Sequence, residues 1–185
     1  TFASRHAGDT GQLLTAHHPG NFGPAEFGGA DGELAAAAPN ATKRVLEALT
    51  EHAPDDYGAG LECTHHGPTE VGCPSLFVEV GSDEPQWEDP TAAQAVAAAI
   101  LDLRWTPPTA NRAVVGFGGG HYVPSFERVV RETDWAVGHV AADWALDDLG
   151  DPEAATARET LDAAVRESGA TRAPVEGDRP DLVTV

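Results

Sequence analysis

The sequence predicts an α/β layered domain, a mixed sheet flanked by helices, and three observations carry that expectation. Apolar runs of strand length recur between Gly- and Pro-rich punctuation. Longer stretches with a helical apolar period lie between them, several opened by a polar cap followed by proline. Strands and helices alternate along the chain, which is the order of packed α/β layers rather than of a bundle or sandwich. With 185 residues, one domain with a sizeable core is affordable. We expect a single domain over residues 1–170 and a loose tail over residues 171–185.

Residues 1–4 read as the end of a strand that delivers Arg5 and His6. Residues 12–15 are a second short strand, delivering His17. The glycines and prolines of residues 19–29 interrupt every possible period and predict loop. Residues 33–38 are short and apolar, a buried strand. Pro39 and Asn40 start a helix, with Asn40 as its cap and Val45, Leu46 and Leu49 on its apolar face. A strand over residues 60–64 leads into Thr64-His65-His66-Gly67-Pro68-Thr69-Glu70. The next strand, residues 75–81, places Ser75, Phe77, Glu79 and Gly81 on one face and Leu76, Val78 and Val80 on the other.

The region around Pro85 reads as loop. Asp89-Pro90 caps a helix with a stripe of Ala93, Val96, Ala97, Ile100 and Leu101, which Pro107-Pro108 ends. Residues 112–117 are a buried strand, residues 124–132 a helix, and residues 136–140 a last strand carrying His139. Asp151-Pro152 opens a final helix with Ala157, Leu161, Ala164 and Val165 on one face. Beyond residue 170 the Arg/Pro/Glu/Asp/Gly mixture has no period.

The formal net charge of -19 sets 30 acidic residues against 11 basic ones, and Lys43 is the single lysine. Such a surface keeps a protein soluble in concentrated salt and points to an extreme halophile. It shows no basic patch of the kind that nucleic-acid binders carry. No apolar run reaches the roughly 20 residues needed to cross a bilayer, and no signal-peptide pattern is visible. A cytoplasmic monomer is expected, with Cys63 and Cys73 reduced.

Six histidines fall at element ends or in loops: His6, His17, His65, His66, His121 and His139. Ligand sites of α/β proteins gather at strand ends, so these side chains are candidates for one site. His18 and His52 are expected to be solvated. Glu79 interrupts an apolar strand, where a carboxylate is costly unless a cation or donors meet it. Imidazole and carboxylate ligands with an open position suit zinc, but the spacing fits no simple ligand pattern. The Gly116-Phe117-Gly118-Gly119-Gly120 run lacks dinucleotide-binding spacing. It reads as a tight turn, or as backbone that exposes N–H groups to an anion. There is no GxSxG nucleophile elbow, and Thr64 and Thr69 hydroxyls either hold water or substrate or bond the turn.

Five motifs occur in order: Ala3-Ser4-Arg5-His6, Leu14-Thr15-Ala16-His17 leading to Gly20-Asn21-Phe22-Gly23, residues 64–70, Pro74 to Ser82, and Gly116 to Tyr122. Together they resemble the archaeal- and plant-type D-aminoacyl-tRNA deacylases, from residue 1 to about residue 140. Members of that family carry a region upstream of the Ser-Arg-His motif, so this sequence is expected to be an N-terminally incomplete piece. The resemblance implies a phosphorylase/hydrolase-like α/β fold, zinc, and D-aminoacyl-tRNA as substrate and partner.

On that reading a metal- or histidine-activated water cleaves the ester, with His65, His66, Glu70, His121 and Thr69 near the reaction. Arg5, His6, Asn21, Gly118, Gly119, Gly120 and Tyr122 contact substrate, and His17, His66, Glu79, His121 and His139 hold metal. Arg112 and Arg128 join Arg5 as candidate phosphate contacts. The His/Glu set alone equally permits a zinc-dependent peptidase or amidase, or an inactive metal- or nucleoside-binding module.

Overall fold

The computed structural model describes residues 1–109 and 112–178. Strands β1 (Phe2–Arg5), β2 (Leu13–His17), β3 (Gly58–Leu61) and β4 (Phe77–Gly81) form one sheet in the order β1-β4-β2-β3. It is mixed, since β4 runs parallel to β1 and antiparallel to β2, which is parallel to β3. Strands β5 (Ala113–Phe117) and β6 (Ala136–Ala141) pair in parallel as a second sheet. The chain beyond β3 stitches the two together. Glu62 N donates to Ala16 O, and Thr64 N donates to Val140 O.

Helices α1 (Pro39–His52) and α3 (Pro90–Asp102) pack on each other and on the first sheet. Their joint core includes Leu14, Val45, Leu49, Leu61, Val78 and Val96. A short α2 (Glu84–Trp87) precedes α3, and α4 (Pro124–Glu132) lies against β6 and β3. Helices α5 (Asp143–Leu149) and α6 (Ala155–Glu167) cover β5 and β6 with a second core around Phe117, Leu146 and Leu161.

Several expectations change. Residues 33–38 make isolated bridges at Leu34 and Ala37 rather than a strand. Asn40 is the second residue of α1 and not its cap; its side chain donates to Pro107 O at 2.8 Å. The α3 stripe is rotated by one residue: Ala92, Ala95, Val96 and Ala99 are buried while Leu101 is 66% exposed. Nearly every residue of α3 is apolar, so the period alone leaves its orientation open. Around Pro85, Asp83 and Gln86 form a capping box that makes α2. The last helix begins at Ala155 rather than Pro152, and α5 was not anticipated. The segment expected to be a loose tail lies beside β5, with Arg172 and Val175 bridging Val114 and Phe117. Its backbone bonds stand in for the periodicity its sequence lacks; residues 179–185 lie outside the described residues. Among the described residues no helix is long and apolar enough to cross a membrane.

Candidate active site

Strand alternation builds the site. Leu14 and Ala16 of β2 and Val78 and Val80 of β4 point into the core. Thr15, His17 and Glu79 therefore share the opposite face, with Thr15 directly across from Glu79. Leu61 and Cys63 also enter the core, so Glu62 between them emerges on the His17–Glu79 face. His6 follows β1, where Ser4 pairs with Glu79. Gly81 lies beneath its ring, and a Cβ there would meet His6 Cδ2 at 2.7 Å.

Glu62 is the centre of the arrangement, and its side chain is wholly buried. His6 Nδ1 lies 3.1 Å from Oε1, and His65 Nε2 and His121 Nε2 lie 3.4 and 3.3 Å from Oε2. His17 Nε2 stands 3.7 Å from Glu79 Oε1. The rings of His17, His65, His66 and Phe77 stack or meet edge-on. Residues from β1, β2, β4, the segment after β3 and the loop after β5 thus converge.

Burial pushes the Glu62 carboxyl up, but the close approach of His121 and His6 and of the other nearby imidazoles outweighs it and holds it below the usual carboxylate range. The close Glu62 carboxylate raises His6 against the opposing effect of burial. Burial and the neighbouring His17 lower His65 to about 2 and also lower His66. Tyr122 Oη meets His6 Nε2 at 2.9 Å. Cys63 Sγ is 3.6 Å from His121 Nδ1, yet burial, followed by the Glu62 charge, pushes its thiol up to about 12. A thiolate nucleophile is therefore disfavoured at neutral pH.

The tautomers are set by backbone carbonyls. His17 Nδ1 lies 3.2 Å from His18 O, His65 Nδ1 2.9 Å from Cys63 O, and His66 Nδ1 3.1 Å from Gly67 O. A carbonyl only accepts, so each ring carries its proton on Nδ1 and, when neutral, presents a bare Nε2 lone pair. His17 Nε2, both Glu62 oxygens and Glu79 Oε1 are buried without a hydrogen-bond partner that meets distance and angle criteria. Ligand atoms of His17, His65 and His66 lie within 4.8 Å of one another, as do those of His17, Glu62 and Glu79. Lone pairs and carboxylates facing each other in a buried space call for a cation or shared protons.

Of the residues expected to act together, the structure gathers His6, His17, His65, His66, Glu79, His121 and Tyr122. It does not gather the rest. Glu70 is exposed and has no hydrogen bond or ion pair with the histidines, because the chain turns away after Gly67. His139 is buried with both nitrogens used, Nδ1 at 3.0 Å from Thr64 Oγ1 and Nε2 at 2.8 Å from Ala35 O. It has no lone pair left for a metal. Thr69 Oγ1 accepts from Ala30 N, and Asn21 Nδ2 donates to Gly28 O and Ala30 O, so both hold a loop. Arg5 is exposed, its guanidinium 4.6 Å from the Trp87 ring.

Gly118 and Gly119 are covered by the chain itself, whereas Gly120 is exposed. Gly118 N donates to Ala141 O, and Glu176 lies over Gly118 and Gly119 with its carboxylate accepting from Ser125 Oγ at 2.9 Å. His18, expected to be solvated, is buried. Glu62 is the residue that sequence reasoning missed. Its signal was present, a carboxylate inside Leu61-Glu62-Cys63, the same anomaly that marks Glu79.

His65 and His66 open onto a cleft of about 270 Å³ lined also by Phe22, Phe27, Trp144 and Asp148. A larger cleft of about 670 Å³ lies against α6 and has none of the histidines in its wall. The smaller one adjoins the reactive groups and is the candidate substrate site.

The fold and site define an α/β domain with a histidine–carboxylate centre at converging strand ends, a centre suited to activating water. The chain belongs to the D-aminoacyl-tRNA deacylase family, whose model matches residues 1–178. It is 61% identical over 184 residues to a D-aminoacyl-tRNA deacylase of Natronomonas pharaonis, covering 100% of this chain and 41% of that protein. It is 62% identical over 189 residues to that of Haloarcula marismortui, covering 98% of this chain and 42% of that one. These relatives come from halophilic archaea, in line with the acidic composition. The chain spans about two fifths of the length of the curated relatives it matches. A crystal structure of a conserved protein of unknown function superposes with a TM-score of 0.75 at 29% identity, covering 94% of this chain and 70% of that one.

Proposed function

We propose that the protein hydrolyses the ester joining a D-amino acid to the 3′ end of tRNA, in the cytoplasm and as a monomer. The observation that carries this is the buried Glu62 among His6, His65 and His121, behind the cleft that His65 and His66 line. Family membership supplies the substrate class. An aminoacyl ester is activated, so the site needs a placed water and stabilised charge more than a strong nucleophile.

Glu62, kept ionised, orients His6, His65 and His121 and favours positive charge on His6. His66 is held at φ 45°, a left-handed conformation that costs a non-glycine residue energy. Neutral and at the cleft wall, it accepts the proton of the attacking water, which departs with the ribose oxygen. His6, its ring nitrogens engaged by Glu62 and Tyr122, holds that carboxylate in place behind the cleft. Discrimination of D from L comes from a pocket that excludes the L side chain.

The donor set also fits zinc. His17, Glu62 and Glu79 would hold it, since their ligand atoms converge and His17 Nε2 and three carboxylate oxygens are unmatched. Bound there, zinc would supply Lewis-acid polarisation and a lowered pKa for a water.

Metal analysis of the intact protein, purified without added zinc, should find zinc. D-aminoacyl-tRNA should be deacylated at least about tenfold faster than the L form, since a pocket contact of about 1.4 kcal/mol gives that ratio. Equal turnover of both, or of peptides instead, would overturn the reading.

A further inference from the structure

Within the deacylase reading, and resting on it, the small cleft has a chemistry of its own. Two large aromatic side chains stand open to solvent in its wall, Phe27 at 80% exposure and Trp144 at 46%. Exposed aromatics on well-held backbone mark binding surfaces. The Phe27 loop is well held: Asn21 Nδ2 bonds Gly28 O and Ala30 O, and Thr69 Oγ1 takes Ala30 N. Gly67 also packs so closely on Gly28 that a Cβ there would collide with its carbonyl. Trp144 is fixed from the other side by α5, whose Ala145 and Leu146 are buried.

The lining contains carboxylates, Glu26 and Asp148, and no lysine or arginine. A phosphate would be repelled there, whereas a neutral group with N–H and O–H donors would be welcome. Its volume of about 270 Å³ is just under the usual range of about 300–1,000 Å³ for small-molecule sites. That suits one nucleoside rather than an oligonucleotide. The ester to be cleaved joins the terminal ribose, so the base lies one sugar away from the reacting carbonyl, as Phe27 and Trp144 lie beside His65 and His66.

We propose that this cleft binds the 3′-terminal nucleoside of the tRNA, its base stacking on Phe27 and Trp144 and its donors facing Glu26 and Asp148. The site thereby recognises tRNA through an uncharged end group, which accounts for a tRNA-acting chain with so few cations.

The test is steady-state deacylation by the intact protein with F27A, W144A and W144F, on D-alanyl- and D-tyrosyl-tRNA. Each Ala variant should raise KM about tenfold, the scale of one lost base stack, with kcat within about twofold. The loss should be the same for both amino acids, and W144F should recover most of it. Free adenosine should compete with substrate and quench tryptophan fluorescence in the wild type but not in W144F. Unchanged KM, or losses confined to D-tyrosyl-tRNA, would overturn the nucleoside assignment and give the cleft to the amino-acid side chain. Absence of deacylation in the wild type would instead refute the underlying function, while adenosine binding would still report on the cleft.

Discussion

Two groups of buried imidazoles lie a few residues apart in this molecule and differ in one respect. In the pair His18 and His139, every ring nitrogen has a partner. Gly138 O and Thr42 Oγ1 satisfy His18, at 2.9 and 2.8 Å, and Ala35 O and Thr64 Oγ1 satisfy His139. Around Glu62 and Glu79, by contrast, His17 Nε2 and three carboxylate oxygens are buried and unmatched. His17, Glu62 and Glu79 are buried as deeply as that pair, and only the completeness of hydrogen bonding differs. Buried polar groups are normally satisfied, so the satisfied pair reads as a strut between β6, α1 and the segment before α1. The unsatisfied group reads as a site.

The comparison breaks most readily at Glu62. Glu62→Gln keeps the shape and removes the charge that orients three imidazoles, and deacylation should fall about 100- to 1,000-fold while the protein still folds in molar salt. Turnover like that of the wild type, measured with D-aminoacyl-tRNA, would place the functional centre elsewhere.

The strut should fail in the opposite way. His139→Ala leaves Ala35 O without its donor and the Thr64 hydroxyl proton without its acceptor in a filled core, and should cost about 2–3 kcal/mol of stability by urea unfolding. The activity per folded molecule should stay within about twofold. Acid sharpens the same point. Burial lowers His139 to about 4, and burial together with the charge of His139 lowers His18 to about 3. Both stay neutral in the fold while the unfolded chain takes up protons below about 6.5. Their contribution is present above about 6.5 and is lost as pH falls through 4 toward 3, about 3 kcal/mol for His139 alone. His139→Ala should flatten that part of the stability profile; an unchanged slope would show that other groups carry it.

The smallest effect is expected at Glu70. It stands four residues from His66 in the sequence but faces solvent, so Glu70→Gln should leave kcat/KM within about twofold. A tenfold loss would mean that the turn after Gly67 closes over the cleft during reaction.

The sequence by itself determined the alternation of elements, most strand positions, and the gathering of histidines at strand ends. Glu79 was legible because period-two alternation places it opposite the buried Val78 and Val80, and that argument uses only local geometry. The same argument applies to Glu62, which alternates with the buried Leu61 and Cys63. Only the tertiary structure decided which histidines share a centre. His17 and His65 stack at 4.1 Å because β2 and β3 run in parallel, a pairing no local pattern encodes. His139 sits on an apolar strand as Glu79 does, yet its ring is turned to Thr64 and Ala35. The edge pairing of Arg172 and Val175 with β5 likewise rests on backbone hydrogen bonds, which are indifferent to side-chain period. Local periodicity fixes which face a residue takes. Which residues meet on that face depends on strand order, and strand order is set by how the whole chain buries its apolar surface.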